Sequence, residues 1–351
     1  MGERKRARQL FFVGSDRGRE RGYERWRIVR RKNLLGIVVG FVVIVLASVL
    51  LIGCDTTNSG NSNSSGGDSN NSSSSNNNDN SSTSGGNKGQ SGAIDVVSRE
   101  DGSGTRSAFV ELFEVQVTNA EGKKVDATTT SAVVTSSTAV MMTTVSGDVN
   151  AIGYISLGSL NDTVKALDID GVAATTANVK SGSYKISRPF NIVTKGTPNA
   201  ATQDFINFIM SSEGQKVIGD NHYIAIDDKA PAYSKDSSAS GKVVVAGSSS
   251  VSPVMEKLKE AYATANSAVT IEIQTSDSST GISSTIEGIC DLGMSSRALK
   301  DSEAASVNSK TIAIDGIAVI VNKNNTLKGM TKEQVSSIFL GEIVDWKDIN
   351  N

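Results

Sequence analysis

From Ala93 onward, short apolar runs recur along the chain, each followed by a small polar loop and then by apolar residues at helical spacing. "AIDVVS" reads as a strand. In "SGTRSAFVELFEV", Ala108, Phe109, Leu112 and Phe113 share one helical face, which predicts a helix starting near Ser103 or Gly104. "AIGYISL" and "FNIVTKG" read as strands, and "ATQDFINFIMSSEGQKVI" as one or two helices. After the polar, breaker-rich "DDKAPAYSKDSSASGK" the same grammar returns. Strand "KVVVA" leads through "GSSSVSP" into helix "SPVMEKLKEAYATAN", with Pro253 in the first turn, where a missing N–H does no harm. Strand "VTIEIQ" leads through "SDSSTG" into the helical "GISSTIEGI". "IAIDGIAVIVNK" is too apolar for an edge strand, and "TKEQVSSIFLG" has Thr331 and Gln334 at capping-box spacing with Gly341 at its end. Strands alternating with helices predict an α/β protein with mixed, mostly parallel sheets.

Upstream the pattern is of another kind. Leu34–Gly53 is a run of about twenty uncharged, mostly apolar residues preceded by Arg30, Arg31 and Lys32. A basic flank, an apolar core and a small residue before a cut describe an export signal over residues 1–53. The closing "LIGC" resembles the lipobox of bacterial lipoproteins, which implies cleavage before Cys54 and a lipid anchor there; an uncleaved membrane-spanning anchor is the alternative. Either one leaves the rest on the extracytoplasmic face of a cell membrane, as on a Gram-positive-type surface. Residues 54–92 are nearly all Ser, Asn, Gly, Asp and Thr. They have too little to bury against the entropy of ordering and are expected to act as a flexible tether to a body spanning 93–351. With Cys54 lipidated, Cys290 has no partner, so no internal disulfide is expected and the body must hold by its cores alone.

Charge narrows the function. Residues 1–33 hold twelve of the 35 Lys/Arg and four of the 37 Asp/Glu, so the remainder is acidic. Nucleic acid requires a basic footprint and is excluded as a partner. An anion bound here must be held by local donors. Three loops provide them: Arg99–Thr105 ("REDGSGT"), Gly247–Val251 ("GSSSV") and Ser276–Gly281 ("SDSSTG"), each between a strand and a helix. A helix start offers unpaired N–H groups and partial positive charge, glycine lets backbone approach closely, and hydroxyls add uncharged donors. Each loop alone also fits a plain N-cap. Burying a bare anion costs on the order of tens of kcal/mol in an apolar medium, whereas hydrogen bonds to charged groups return about 1.5–3 kcal/mol each. Several loops must therefore converge.

These residues carry a resemblance. "VVVAGSSSVSPVMEKLKEAY", "IEIQTSDSSTGISSTIEGICDLGMSSRALKDSE", "IDGIAVIVNK" and "VVSREDGSGTRSAFVELF" resemble the phosphate-binding lipoproteins of bacterial phosphate ABC transporters, over nearly everything from Ile94 onward. The resemblance implies a two-lobed periplasmic-binding-protein fold of type II, closing by a hinge on inorganic phosphate and delivering it to a membrane permease. It implies phosphate contacts from Ser249, Ser250, Ser278, Arg99, Ser103, Gly104 and Thr105, with Asp101 orienting Arg99, Ser250 and Gly104 donating backbone N–H, and the other hydroxyls donating directly. Where many members carry an acid that accepts the phosphate proton, this chain has Ser296, which leaves Asp101, Asp277 and Asp315 as alternatives. The order of the blocks departs from the usual one, as in a circular permutation with residues 227–242 joining the old ends. Lobes are expected over 93–185 plus 322–351 and over 186–321, within a monomer; two half-proteins swapped between molecules are the alternative.

Rival functions find less support. His222 is the only histidine, with no nucleophile elbow beside it, no phosphate-loop or complete dinucleotide fingerprint, and no Cys/His cluster for a metal. No catalysis, cofactor or metal is expected. Another oxyanion such as sulfate or molybdate, or a structural or adhesive surface role, remain the alternatives to phosphate.

Overall fold

The computed structural model describes residues 90–349. The export signal, Cys54 and all but the last residues of the tether lie outside them. Eight strands form the path of one mixed sheet: β1 (Asp95–Arg99), β2 (Val133–Thr135), β3 (Ala151–Ser156), β4 (Ser187–Thr194), β5 (Gly241–Ser248), β6 (Val269–Ser276), β7 (Leu292–Ser295) and β8 (Asn308–Asn322). Their spatial order is β6-β5-β7-β4-β8-β3-β1-β2, with Val164–Ala166 and Ile224–Ala225 pairing β8 off this path. The outer strands are parallel: β1 with β2 and β3, and β5 with β6 and β7. The central pair β4 and β8 runs antiparallel to its neighbours and to each other.

Among the described residues seven helices of nine or more residues flank the sheet: α1 (Gly104–Leu112), α2 (Thr138–Gly147), α3 (Ala200–Ile209), α4 (Ser212–Asp220), α5 (Ser252–Ala265), α6 (Ser278–Glu287) and α7 (Lys332–Leu340). Their ends follow local chemistry. Thr331 and Gln334 form the expected capping box on α7, and Gly341 ends it in the left-handed region at φ 80°.

Two cores make two lobes. In the first, Phe109 of α1 stacks on Tyr154 of β3 with ring centroids 3.9 Å apart and touches Phe113 and Phe339. In the second, Phe205 and Phe208 of α3 pack on Tyr262 of α5. The long strand β8 belongs to both, giving Ile312 and Ala313 to the second core and Ile317–Val321 to the first. It crosses at Asp315–Gly316, where it pairs with Arg188 and Ser187 at the start of β4. The lobe boundary therefore falls inside β8, a few residues before the 321/322 division read from sequence. The apolar run of β8 continues from Ile312 to Val321 through the crossing, so hydrophobicity alone did not mark it.

Two further features set the frame. Ile94 N–H donates to Val344 O and Trp346 N–H to Gly92 O, both at 2.9 Å, so the two ends of the described chain lie side by side in the first lobe. Residues 226–240 connect α4 to β5 within the second lobe and are tied down by Asp204, which accepts from Tyr233 OH at 2.7 Å and Asp236 N–H at 2.9 Å.

Candidate functional site

Parallel α/β sheets gather ligands outside the carboxyl ends of their strands. Five parallel strands of both lobes end at one place: β1 at Arg99, β2 before Thr138, β5 at Ser248–Ser250, β6 before Ser278 and β7 before Ser296. Arg99, Ser103, Thr105, Thr138, Ser248, Ser249, Ser250, Ser278 and Ser296 are all buried.

The lobes touch through these residues. Arg99 Nη2 donates to Ser249 Oγ at 3.0 Å, and Thr105 Oγ1 shares a 2.7 Å hydrogen bond with Ser250 Oγ. Thr138 Oγ1 lies 3.2 Å from Ser250 Oγ and 3.5 Å from Arg99 Nη1. Ser279 N–H donates across to Gly102 O at 3.2 Å. Ser278 Oγ accepts from Ser296 N–H at 3.0 Å and lies 3.3 Å from Ser296 Oγ, which accepts in turn from Ser248 Oγ at 2.9 Å. Gly104 stands against Ser278 so closely that a Cβ would come 2.3 Å from Ser278 Oγ. The sequence-predicted Ser249, Ser250, Ser278, Gly104, Thr105 and Arg99 thus meet. Ser103 caps α1, its Oγ accepting from Arg106 N–H at 3.3 Å, which leaves its own proton for donation. Ser250 N–H, expected as a ligand donor, is directed at Ser248 Oγ at 3.3 Å, so in this arrangement its hydroxyl makes the contact across the cleft.

Arg99 is held differently from expectation. Glu100, not Asp101, grips it with two hydrogen bonds of 2.7 Å to Nε and Nη2. That bidentate grip leaves Nη1 and the second Nη2 proton for the cleft. Asp101 is 98% exposed and pairs with Arg106. Alternation along a strand favours residues two apart, but the chain leaves the sheet at Arg99, so the period of two ends there. Tyr154 OH completes the setting by accepting Arg99 N–H at 3.2 Å; burial pushes its hydroxyl up to about 12, so it stays protonated.

The remaining acids are occupied elsewhere. Asp277 caps α6, accepting from Thr280 N–H and Oγ1. Asp315 lies behind the site at the strand crossing, 3.2 Å from Arg188 Nη2 and accepting from Gly158 N–H. Burial drives its carboxyl up to about 6 against the pull of Arg188. Arg188 Nη1 in turn donates to Ser296 O at 3.0 Å, joining the crossing to the site. Thr138 was not legible as a site residue, although β2–Ser137–α2 repeats the strand, cap and helix grammar. Its helix is rich in β-branched residues and hid the signal.

Chemically the place offers one guanidinium, a ring of hydroxyls and the starts of four helices, all converging from two lobes. Such a set is chemically suited to a small tetrahedral oxyanion. A separate cavity of about 420 Å3 lined by Lys180, Gln215, Tyr223 and Asp228 includes none of these residues.

Comparison with known proteins agrees. A family model described as a PBP superfamily domain matches residues 73–213 and 233–351. The phosphate-binding protein PstS 2 of Streptococcus agalactiae is 57% identical over 261 residues, covering 74% of this chain and 88% of its own length. Its namesake in Streptococcus pneumoniae is 45% identical over 259 residues, with the same shares. The crystal structure of a phosphate-binding protein of a phosphate ABC transporter from Streptococcus pneumoniae is similar at a TM-score of 0.59 and 44% identity, covering 74% of this chain and all of that one.

Proposed function

The chain belongs to the PBP superfamily and, within it, to the phosphate-binding proteins, and from that premise we propose that it captures inorganic phosphate between its lobes and hands it to the permease of an ABC transporter. The observation that carries this reading is the convergence of Arg99, Thr105, Thr138, Ser249, Ser250, Ser278 and Ser296 at the carboxyl ends of five strands. Lobes that close on the ligand exchange their mutual hydroxyl bonds for bonds to its oxygens. Every donor but Arg99 is uncharged, and Arg99 is already neutralised by Glu100, so the ligand's charge is balanced by dipoles rather than by a matching ion. The role is binding without catalysis, on the extracytoplasmic face of the cell membrane, tethered through Cys54, as one chain per molecule.

Calorimetric titration with phosphate, sulfate and molybdate in parallel tests it. Phosphate is expected to bind one to one with the highest affinity. Arg99→Ala removes two charge-assisted hydrogen bonds and leaves Glu100 unpaired, so affinity is expected to fall at least ~100-fold. Absence of binding, or an unchanged affinity in Arg99→Ala, refutes the reading.

A second proposal concerns the order of the chain: a circular permutation, with residues 227–242 as the joint. It is supported by the adjacent ends at Gly92–Ile94 and Val344–Trp346, by a connection that starts and finishes in the second lobe, and by the gap in the family match at 214–232. Close termini are what such a rearrangement requires.

A further inference from the structure

Beside the oxyanion site a larger space opens between the lobes. A cavity of about 870 Å3 takes Arg106 and Lys124 from the first lobe, Arg297 and Lys300 from the second, and Arg188 from the strand crossing. Three of its walls are direct neighbours of the site. Arg106 follows Thr105 and donates to Arg99 O at 2.7 Å, Arg297 follows Ser296, and Arg188 donates to Ser296 O.

Charge sets this space apart from its surroundings. Residues 93–351 carry 22 Lys/Arg and 30 Asp/Glu, so the body as a whole repels anions. The cavity wall is level, five cations against Asp101, Glu111 and Asp126 of the lining and the partner acids Asp315 and Glu303, and all three arginines are paired, whereas Lys124 and Lys300 are in no ion pair among the described residues. Arg188 and Arg297 are over nine-tenths buried; Asp315 and Glu303 pair with them, yet each keeps an Nε–H without a partner. Lys124 and Lys300 are exposed, one on each lobe. An exposed ammonium on either side of the cavity suits a small anion that is still partly hydrated. Nearby charges dominate the potential in a concave space, so these two unpaired ammonium groups act there against the distant acidic total.

We propose that this cavity is an anion-capture vestibule, which draws free oxyanion to the cleft and holds it between Lys124 and Lys300 before the lobes close. The proposal rests on the phosphate-binding reading and adds to it a separate station for the same ligand. It gives a dianion a route into an acidic body whose proposed binding site holds a single, already neutralised cation.

The test is stopped-flow measurement of phosphate association and dissociation with the full chain, at low salt and at about 0.5 M salt, where screening is nearly complete beyond a few ångströms. Lys124→Glu with Lys300→Glu reverses the vestibule without touching the site. Lys323→Glu with Lys347→Glu makes the same change in net charge at exposed positions outside the cavity lining. The vestibule variant is expected to lose at least five-fold in association rate at low salt, with dissociation unchanged and the loss shrinking in high salt. The control variant is expected to lose less than two-fold. Equal losses in both variants, or no loss in the first, overturn the vestibule while phosphate binding stands. If the unaltered chain binds no phosphate, the functional reading falls and the vestibule falls with it.

Discussion

At Gly104 one missing methyl group allows the lobes to meet. A Cβ there would lie 2.3 Å from Ser278 Oγ and 2.7 Å from Ser296 Oγ. Both serines are fully buried and bonded to each other, so neither hydroxyl has room to swing aside. Within its own lobe Gly104 is the first residue of α1, where alanine is the better helix former. Gly104→Ala is therefore expected to lower phosphate affinity at least ten-fold in calorimetry while shifting Tm by no more than a few degrees. An affinity within two-fold of the original would mean the lobes do not close through this contact. The neighbouring Arg99 shows what a residue pattern conveys and what it withholds. Its place beside hydroxyls and glycines was readable, because a cation in such a loop suits an oxyanion. Its partner was not, because the switch from Asp101 to Glu100 depends on where the strand stops.

The elements repeat one device, a strand delivering a small polar loop to a helix start. Three instances were visible in the residues; β2 into α2 and the end of β7 needed the sheet to bring them alongside. The second lobe depends on another element-level device, the carboxylate of Asp204 on α3. It accepts from Tyr262 OH at 2.6 Å, from Tyr233 OH, from Asn266 Nδ2 at 2.9 Å and from Asp236 N–H, tying α3, α5 and the 226–240 connection together. Burial alone would raise its pKa, but these hydrogen bonds outweigh it and hold the carboxyl below its ordinary value. A depressed carboxyl binds its proton less readily folded than unfolded, so its contribution is present above about pH 4 and fades as pH falls through the folded value. Asp204→Asn is expected to lower stability at neutral pH by roughly 2–4 kcal/mol, through lost charge-assisted bonds and unsatisfied buried partners. Denaturant titrations at pH 7 and pH 3 should show that difference shrinking in acid. A constant difference would deny Asp204 its ionised role.

For the molecule as a whole the crossing is the deciding feature. Among the described residues the chain passes from one core to the other at Ile186–Phe190 and Ala313–Ile317, and it touches the first core again at Ile224. Two adjacent antiparallel strands make a narrow connection, the form a hinge takes when two packed bodies rotate about it. Neither the adjacent ends of the chain nor the 226–240 connection lies on it, so the proposed permutation leaves the hinge strands intact. Solution scattering of the protein is expected to give the mass of one chain and a radius of gyration that falls on adding phosphate. A stable dimer with exchanged lobes would refute the intramolecular arrangement, and an unchanged radius would refute closure.

By itself the sequence determined most of the strands and helices, the α/β class, and the hydroxyl, glycine and arginine loops suited to an anion. Each of these follows from interactions between residues near one another in the chain: periodicity, capping and turn chemistry. Only the tertiary structure decided where β8 passes from one lobe to the other, which acid holds Arg99, that Asp315 stands behind the site with Arg188, and that Thr138 and Ser296 complete the ring. Those outcomes depend on register and on contacts between residues far apart in sequence, such as Arg99 with Ser249 and Arg188 with Asp315. Local propensity is indifferent to such pairs, because burial, charge pairing and steric fit act only after the sheet has brought their partners together.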